Sequence, residues 1–271
     1  MIDPLFPHCN ATSSAGWLVF DCESVPDGRL LNIVRYPTET LTPEAAVARA
    51  QAEALERGNS DFLPVTFQLP ISIAMLRVGV DYSLQAITRL DAPHFKPRGI
   101  VEQFWRGLGQ YAQYEPAAKI VTFNGRGFDL PLLEMAAFRY GIAVPSLDQW
   151  RNERQFDLMH WLNNDGAIRL SGGLNMLAKL LGKPGKMEVT GNKVYGMWLD
   201  GQLNAINDYC LCDTLDTYII FLRTRVLAGA ITLDTEQAIL RRAKDWVRGQ
   251  TATYPALAEY VTHWGEWSPW P

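Results

Sequence analysis

The stretch "LVFDCESVPDG", Leu18 to Gly28, places two carboxylates, Asp21 and Glu23, after an otherwise apolar run. A run of that kind predicts a strand covered on both faces. Side chains alternate along a strand, so Asp21 and Glu23 share one face, within about 7 Å of each other, while Cys22 points to the opposite face. Unneutralised, two such acids repel and at least one pKa rises; with a divalent cation between them both stay ionised. A strand end meeting water would produce the same D-x-E pattern, so the rest of the chain has to separate the two explanations.

The chain has 271 residues, 48% hydrophobic and 11% aromatic, enough apolar surface for a sizeable core and enough length for one large domain or two small ones. No basic flank precedes an apolar stretch near residue 1, and no run reaches about twenty apolar residues, so the expected location is cytoplasmic, with no membrane association. Cys9, Cys22, Cys210 and Cys212 lack C-x-x-C spacing and suggest neither a disulfide framework nor a zinc knuckle. The formal charge of −4, from 25 Lys and Arg against 29 Asp and Glu, argues against nucleic-acid coating by bulk positive charge but leaves room for a local site.

Strands are expected at Leu18–Asp21, Leu30–Arg35, Pro70–Val78, Tyr82–Leu90 and Lys119–Phe123. Helical periodicity marks Pro43–Arg57, Gly99–Tyr114, Leu130–Tyr140, Gly173–Leu181, Leu203–Leu227 and Thr235–Arg248. Early strands followed by helices only predict an α/β mixed sheet flanked by helices, with a helical carboxy-terminal part. The segments up to Gly16, from Arg57 to Pro64 and from Gly182 to Gly201 are expected to be loops, the last a possible hairpin. The ending "HWGEWSPWP" carries three tryptophans and is expected to fold back onto the body, with a partner-binding tail as the alternative.

Two further constellations carry chemistry. In "VTFNGRGFDLPLL", Val121 to Leu133, a strand gives way to a glycine-containing turn and then to Asp129 at the start of a helix. Helix capping explains the Asp; delivery of Asn124, Phe128 and Asp129 to the carboxyl end of a strand, where open α/β sheets bind ligands, is the alternative. Glycines there would let a substrate backbone come close. In "YCLCDTLDTYIIFL", Tyr209 to Leu222, Leu211, Leu215, Tyr218 and Leu222 mark a buried stripe, and Tyr209 lies one turn from Asp213. Asp213 is either a site residue or a solvated helix charge, with Asp208 and Asp216 as nearby examples of the latter.

Together, D-x-E on an early strand, N-x3-F-D after a later strand and Y-x3-D on a late helix resemble the three motifs of the DEDD 3′ to 5′ exonuclease superfamily, tyrosine subtype. "FNGRGFDLPLL", "FDLMHWL" (Phe156–Leu162) and "GKPGKM" (Gly182–Met187) are closer still to the stand-alone bacterial family related to the proofreading exonuclease domain of family-B DNA polymerases. The resemblance implies a ribonuclease H-like fold and a single exonuclease domain over 1–271, with a core of about 16–225 and a helical extension over 226–271. No polymerase motifs follow, and the residues after Arg225 are too few to hold a polymerase domain.

Carried over residue by residue, the resemblance implies that Asp21, Glu23, Asp129 and Asp213 hold two divalent cations, Mg²⁺ or Mn²⁺. Tyr209 would position the attacking water, and Asp21 would bridge the metals. Two such ions about 4 Å apart activate water and stabilise the phosphorane; carboxylate oxygens suit hard cations, and no His/Cys set offers itself for zinc. Asn124 and Phe128 would face the substrate end, Phe128 as a surface for base stacking. Lys183, Lys186 and Lys193 would contact phosphates or simply decorate a surface loop. Asp157 is expected to hydrogen-bond structurally near the site, and His160 to be packed. The implied partner is nucleic acid with a free 3′ end, single-stranded DNA first, in a setting such as DNA repair. An exoribonuclease, a ribonuclease H-like endonuclease and a non-catalytic binding module are the alternatives.

Overall fold

The computed structural model describes residues 5–7, 14–58, 60–186 and 191–269. Its centre is a five-stranded sheet in the order β3-β2-β1-β4-β5, built from β1 (Ala15–Pro26), β2 (Gln68–Gly79), β3 (Leu84–Arg89), β4 (Lys119–Thr122) and β5 (Gln155–Asp157). β2 runs antiparallel to both β1 and β3, whereas β1, β4 and β5 are mutually parallel. This is the expected α/β mixed sheet flanked by helices.

Strand alternation sorts β1 into two faces. Leu18, Phe20 and Cys22 pack with Ile73, Met75 and Ile120 beneath α3 (Pro97–Tyr114) and α4 (Asp129–Tyr140). Val19 faces the other way, with Ala74, Leu76 and Val121, under α9 (Leu203–Leu227). Asp21 and Glu23 continue the Val19 face, so the geometry of the pleat alone aims both acids at α9. β1 does not stop at the acids: it pairs with β2 as far as Pro26, with a register irregularity between Glu23 and Ser24. The carboxylates therefore lie inside a strand rather than at its solvent end.

α9 has the predicted bounds, but its stripe is too narrow a description. Every residue from Tyr209 to Leu222 is buried, because the sheet covers one side while α10 (Leu233–Gly249) and α11 (Ala256–His263) cover another. Asp216, offered above as a solvated charge, is buried and accepts a hydrogen bond from the Tyr260 hydroxyl at 2.7 Å. Asp208 pairs with Arg89 at 2.9 Å.

Two other expectations fail. Leu30–Arg35 is not a strand but lies in α1 (Gly28–Arg35), since the Asp27 carboxylate accepts from the Arg29 and Leu30 N–H groups and starts a helix. Its Leu31 then packs with Val47 and Ala50 of α2 (Pro43–Arg57). The segment Gly182–Gly201 is no hairpin: its later part forms a 3₁₀ turn at Gly191–Lys193 followed by α8 (Val194–Leu199), while 187–190 lie outside the described residues. The helix expected at Gly173–Leu181 is α7 (Gly173–Leu180), whereas β5, α5 (Leu147–Asn152), α6 (Leu158–Leu162) and α11 had no expected counterpart of their own.

The tryptophan-rich ending does fold back. Trp264 is buried edge-to-face on Tyr260, the Trp267 ring sits beneath the Arg223 guanidinium, and Gly265 N–H donates to Gly182 O at 2.9 Å. Trp270 and most of the segment before Gly16, including Cys9, lie outside the described residues. Cys22, Cys210 and Cys212 are free and buried. No helix among the described residues is long and apolar enough to cross a membrane.

Candidate active site

Three motifs meet where β4 ends beside the interior of β1. Asp21, Glu23 and Asp213 bring one carboxylate oxygen each within 4.8 Å of one another. α9 is held against β1 at this level by the Cys210 thiol, which donates to Asp21 O at 3.3 Å. One turn from Asp213, the Tyr209 hydroxyl is hydrogen-bonded to the Asp213 carboxylate.

Asp129 arrives from the other layer. It is the first residue of α4, buried, and its carboxylate draws on the Cys22 backbone N–H between the two β1 acids. Its Oδ1 atom has no hydrogen-bond partner among the described residues. Buried oxygens are almost always partnered, so an orphan facing an acidic cluster points to a donor or cation outside the polypeptide.

The electrostatics agree. Burial, followed by repulsion from Asp129, Glu23 and Asp213, raises the Asp21 pKa well above the usual carboxylate range, opposed by the Lys186 charge. Glu23 is raised by burial and then by Asp213, again opposed by Lys186. Burial pushes Asp129 up to about 7 and Asp213 up to about 6, the latter held down by the Tyr209 hydrogen bond and Lys186. Burial raises the Tyr209 phenol as well, with Asp213 adding to it, so it stays protonated. Four carboxylates crowded against their own solvation and each other are a stable arrangement only with positive charge among them. An all-oxygen donor set with an orphaned carboxylate oxygen fits a hard divalent cation.

Asp157 supports this cluster without joining it. At the end of β5 its Oδ1 accepts from Asn124, Met159 and His160 N–H at 3.0, 3.0 and 3.2 Å, and its Oδ2 from Arg126 N–H at 2.9 Å. One carboxylate thus caps α6 and pins the loop that ends in Asp129. Asn124 takes a left-handed conformation (φ 66°), tolerated by Asn better than by most residues. The two glycines of the loop make room for the protein's own side chains rather than for a ligand. A Cβ on Gly125 would sit 2.3 Å from Thr122 Oγ1, and one on Gly127 would sit 2.7 Å from Asn124 Oδ1.

Phe128 caps α4 half-buried, packed on the core below and against Phe62, whose ring centroid is 5.5 Å away and whose side chain is exposed. Phe62 falls in a segment expected to be a loop, where nothing in the sequence singled it out.

The three loop lysines separate. Lys186 lies over the Tyr209 ring, its Nζ 6.0 Å from the centroid, with its backbone N–H fixed by Asn175 Oδ1 at 2.9 Å. Lys183 is buried and instead binds the tail, its Nζ donating to Gly265 O at 2.5 Å and lying 5.6 Å from the Trp264 ring centroid. It is thereby removed from the phosphate-binding candidates. Lys193 is exposed. His160 is not packed: it pairs with Asp165 at the surface, 2.9 Å apart.

Comparison with known protein families matches residues 60–264 to the model described as "Predicted 3'-5' exonuclease related to the exonuclease domain of PolB". The chain belongs to this family. The PolB-related exonuclease match takes in Asp129, Tyr209 and Asp213, begins after Asp21 and Glu23, and runs on through α10 and α11 to Trp264. Pairing of β1 with β2 therefore brings the two upstream acids to the family's matched region. No curated protein matches the sequence. Among solved structures, the family B DNA polymerase from the hyperthermophilic archaeon Pyrobaculum calidifontis is similar at 16% identity and a TM-score of 0.47, covering 88% of this chain and 29% of that one. An exonuclease I structure, "ExoI/SSB-Ct complex", is similar at 11% identity and a TM-score of 0.36, covering 92% of this chain and 46% of that one. This PolB-related exonuclease chain thus spans less than half the length of either solved relative.

Proposed function

We propose that the protein is a metal-dependent 3′ to 5′ exonuclease that removes mononucleotides from single-stranded DNA ends. The observation that carries this reading is the convergence of Asp21, Glu23 and Asp213 within 4.8 Å beside the buried, partnerless Oδ1 of Asp129. Asp21, Glu23, Asp129 and Asp213 would hold two cations, Mg²⁺ or Mn²⁺. When bound, such ions lower the pKa of a water and neutralise charge building on the phosphorane.

The chain's own groups do the positioning. Tyr209, a protonated phenol hydrogen-bonded to Asp213, orients the attacking water rather than deprotonating it. Lys186, over the Tyr209 ring, supplies a fixed positive charge for a phosphate oxygen. Phe128, with Phe62 beside it, offers an aromatic surface for a splayed terminal base, and Asn124 lies in the loop between them and β4. The water oxygen bonds to phosphorus as the bond from phosphorus to the 3′ oxygen breaks, releasing a 5′-mononucleotide and a shortened strand with a new 3′ hydroxyl.

The test uses 5′-labelled single-stranded DNA and RNA oligonucleotides with Mg²⁺, Mn²⁺ or EDTA, comparing wild type with Asp21→Ala. The expected result is a one-nucleotide ladder on DNA that requires metal and vanishes in the variant. A ladder on RNA alone would make the protein an exoribonuclease, and no degradation by wild type in any metal would remove the catalytic reading.

A further inference from the structure

A second concavity, of about 450 Å³, opens where β1 turns into α1, and is bordered by α8 and the last turn of α4. That volume lies in the range of sites that take a base-sized ligand. One wall is aromatic: Tyr195 and Trp198 of α8 stack with centroids 6.1 Å apart at 18°. Tyr195 is anchored in the apolar cluster that includes Tyr209, while Trp198 keeps 36% of its surface exposed. The floor is the Arg139–Asp27 ion pair, 2.6 Å long. Arg29, also lining the cavity, is exposed and has no ion pair among the described residues. Glu44 at the rim is the one lining carboxylate left without a partner among them.

Two independent measures place this cavity relative to the acids. α4 carries Asp129 beside Cys22 at one end and Arg139 on Asp27 at the other, ten residues or about 15 Å along a helix. The last residues of β1 and the Asp27 that follows them span the same interval from Cys22 in about 16 Å of extended chain. A polynucleotide leaving the acids along β1 reaches the cavity within about five nucleotides even at the 3.4 Å spacing of a stacked strand.

We propose that this cavity is an upstream subsite for the single-stranded nucleic-acid substrate. A base stacks on Trp198 and the adjoining phosphate lies at Arg29, away from Glu44. The inference rests on the exonuclease reading above and extends it to strand length: substrates long enough to reach α8 bind better than those that are not. An aromatic platform is indifferent to sequence because every base presents a π-face.

The test compares kcat/KM for a ten-nucleotide strand and a dinucleotide. Wild type is expected to favour the longer substrate, and Trp198→Ala or Arg29→Ala to reduce that preference about tenfold, with Trp198→Phe restoring it. An unchanged preference in Trp198→Ala, or no preference in wild type, would overturn the subsite. A separate arm measures binding of the ten-nucleotide strand to Asp21→Asn protein in EDTA by fluorescence anisotropy, with and without Trp198→Ala. Weaker binding in the double variant supports the subsite even if no substrate is hydrolysed, and equal binding refutes it. Hydrolysis absent from both lengths in wild type counts against the exonuclease reading alone.

Discussion

Asp157 offers the most direct test of how the fold positions the acids. Its carboxylate accepts four backbone N–H groups, two in the first turn of α6 and two in the loop ending at Asp129. Asp157→Ala removes a helix cap, worth about 1 kcal/mol, and leaves the Asn124 and Arg126 donors to find other partners at about 1 kcal/mol each, low in the usual range because both remain near solvent. The expected total is roughly 3 kcal/mol, a large share of a typical domain's 5–15 kcal/mol. For a chain of this size that lowers the unfolding midpoint by roughly 6–12 °C. Asp157→Asn keeps one accepting oxygen and should fall between the two. Thermal unfolding followed by circular dichroism measures both. Loosening the loop also displaces Asp129, and a shift of about 1 Å can cost about a hundredfold in rate, so exonuclease activity should fall by more than unfolding at the assay temperature explains. A midpoint for Asp157→Ala within about 2 °C of wild type would refute the claim that this carboxylate holds the loop.

Tyr209→Phe keeps the ring beneath Lys186 but loses the hydroxyl, so cleavage should slow by about tenfold or more while metal affinity, measured by calorimetry, stays near wild type; equal rates would exclude Tyr209 from the mechanism. Asp216 is pushed up to about 7 by burial, against the Tyr260 hydrogen bond. Its folded pKa lies above the unfolded value of about 3.9, so its stabilising contribution is complete below that value and is lost as the pH rises to about 7. Asp216→Asn should therefore gain on wild type between pH 5 and pH 8 in denaturant unfolding, and a constant difference would show that Asp216 is ionised throughout. Trp264→Ala empties a buried site between Tyr260 and Lys183 and should cost about 3 kcal/mol; a loss under about 1 kcal/mol would mean that the tail is not part of the core.

Much of this arrangement was legible locally. The long periodic segments Pro43–Arg57 and Leu203–Leu227 have the bounds their spacing predicts, because an amphipathic or wholly apolar helix with a clear stop contains its own instructions. Leu30–Arg35 misled because its apolar, β-branched residues suit a strand, whereas the decisive signal was the Asp27 carboxylate preceding them. β5 is three residues long, too short for any period to register. Lys183 and Lys186 are three residues apart in one glycine-rich segment and indistinguishable by composition. Contacts with a tail about 80 residues away bury the first, while Asn175 directs the second toward Tyr209.

By itself the sequence determined the strand and helix that carry the acids, their alternation and their one-turn spacing, since these follow from backbone periodicity and need no knowledge of what lies opposite. Only the tertiary structure decided that the strand continues past "DCE", that β1, α4 and α9 converge so that the half-buried Asp21 and Glu23 meet the buried Asp129 and Asp213, and that Tyr195 and Trp198 stack at the edge of a cavity. Those outcomes depend on which surfaces meet across the fold, and burial in that meeting is what turns two ordinary strand acids into half of a charge-starved cluster.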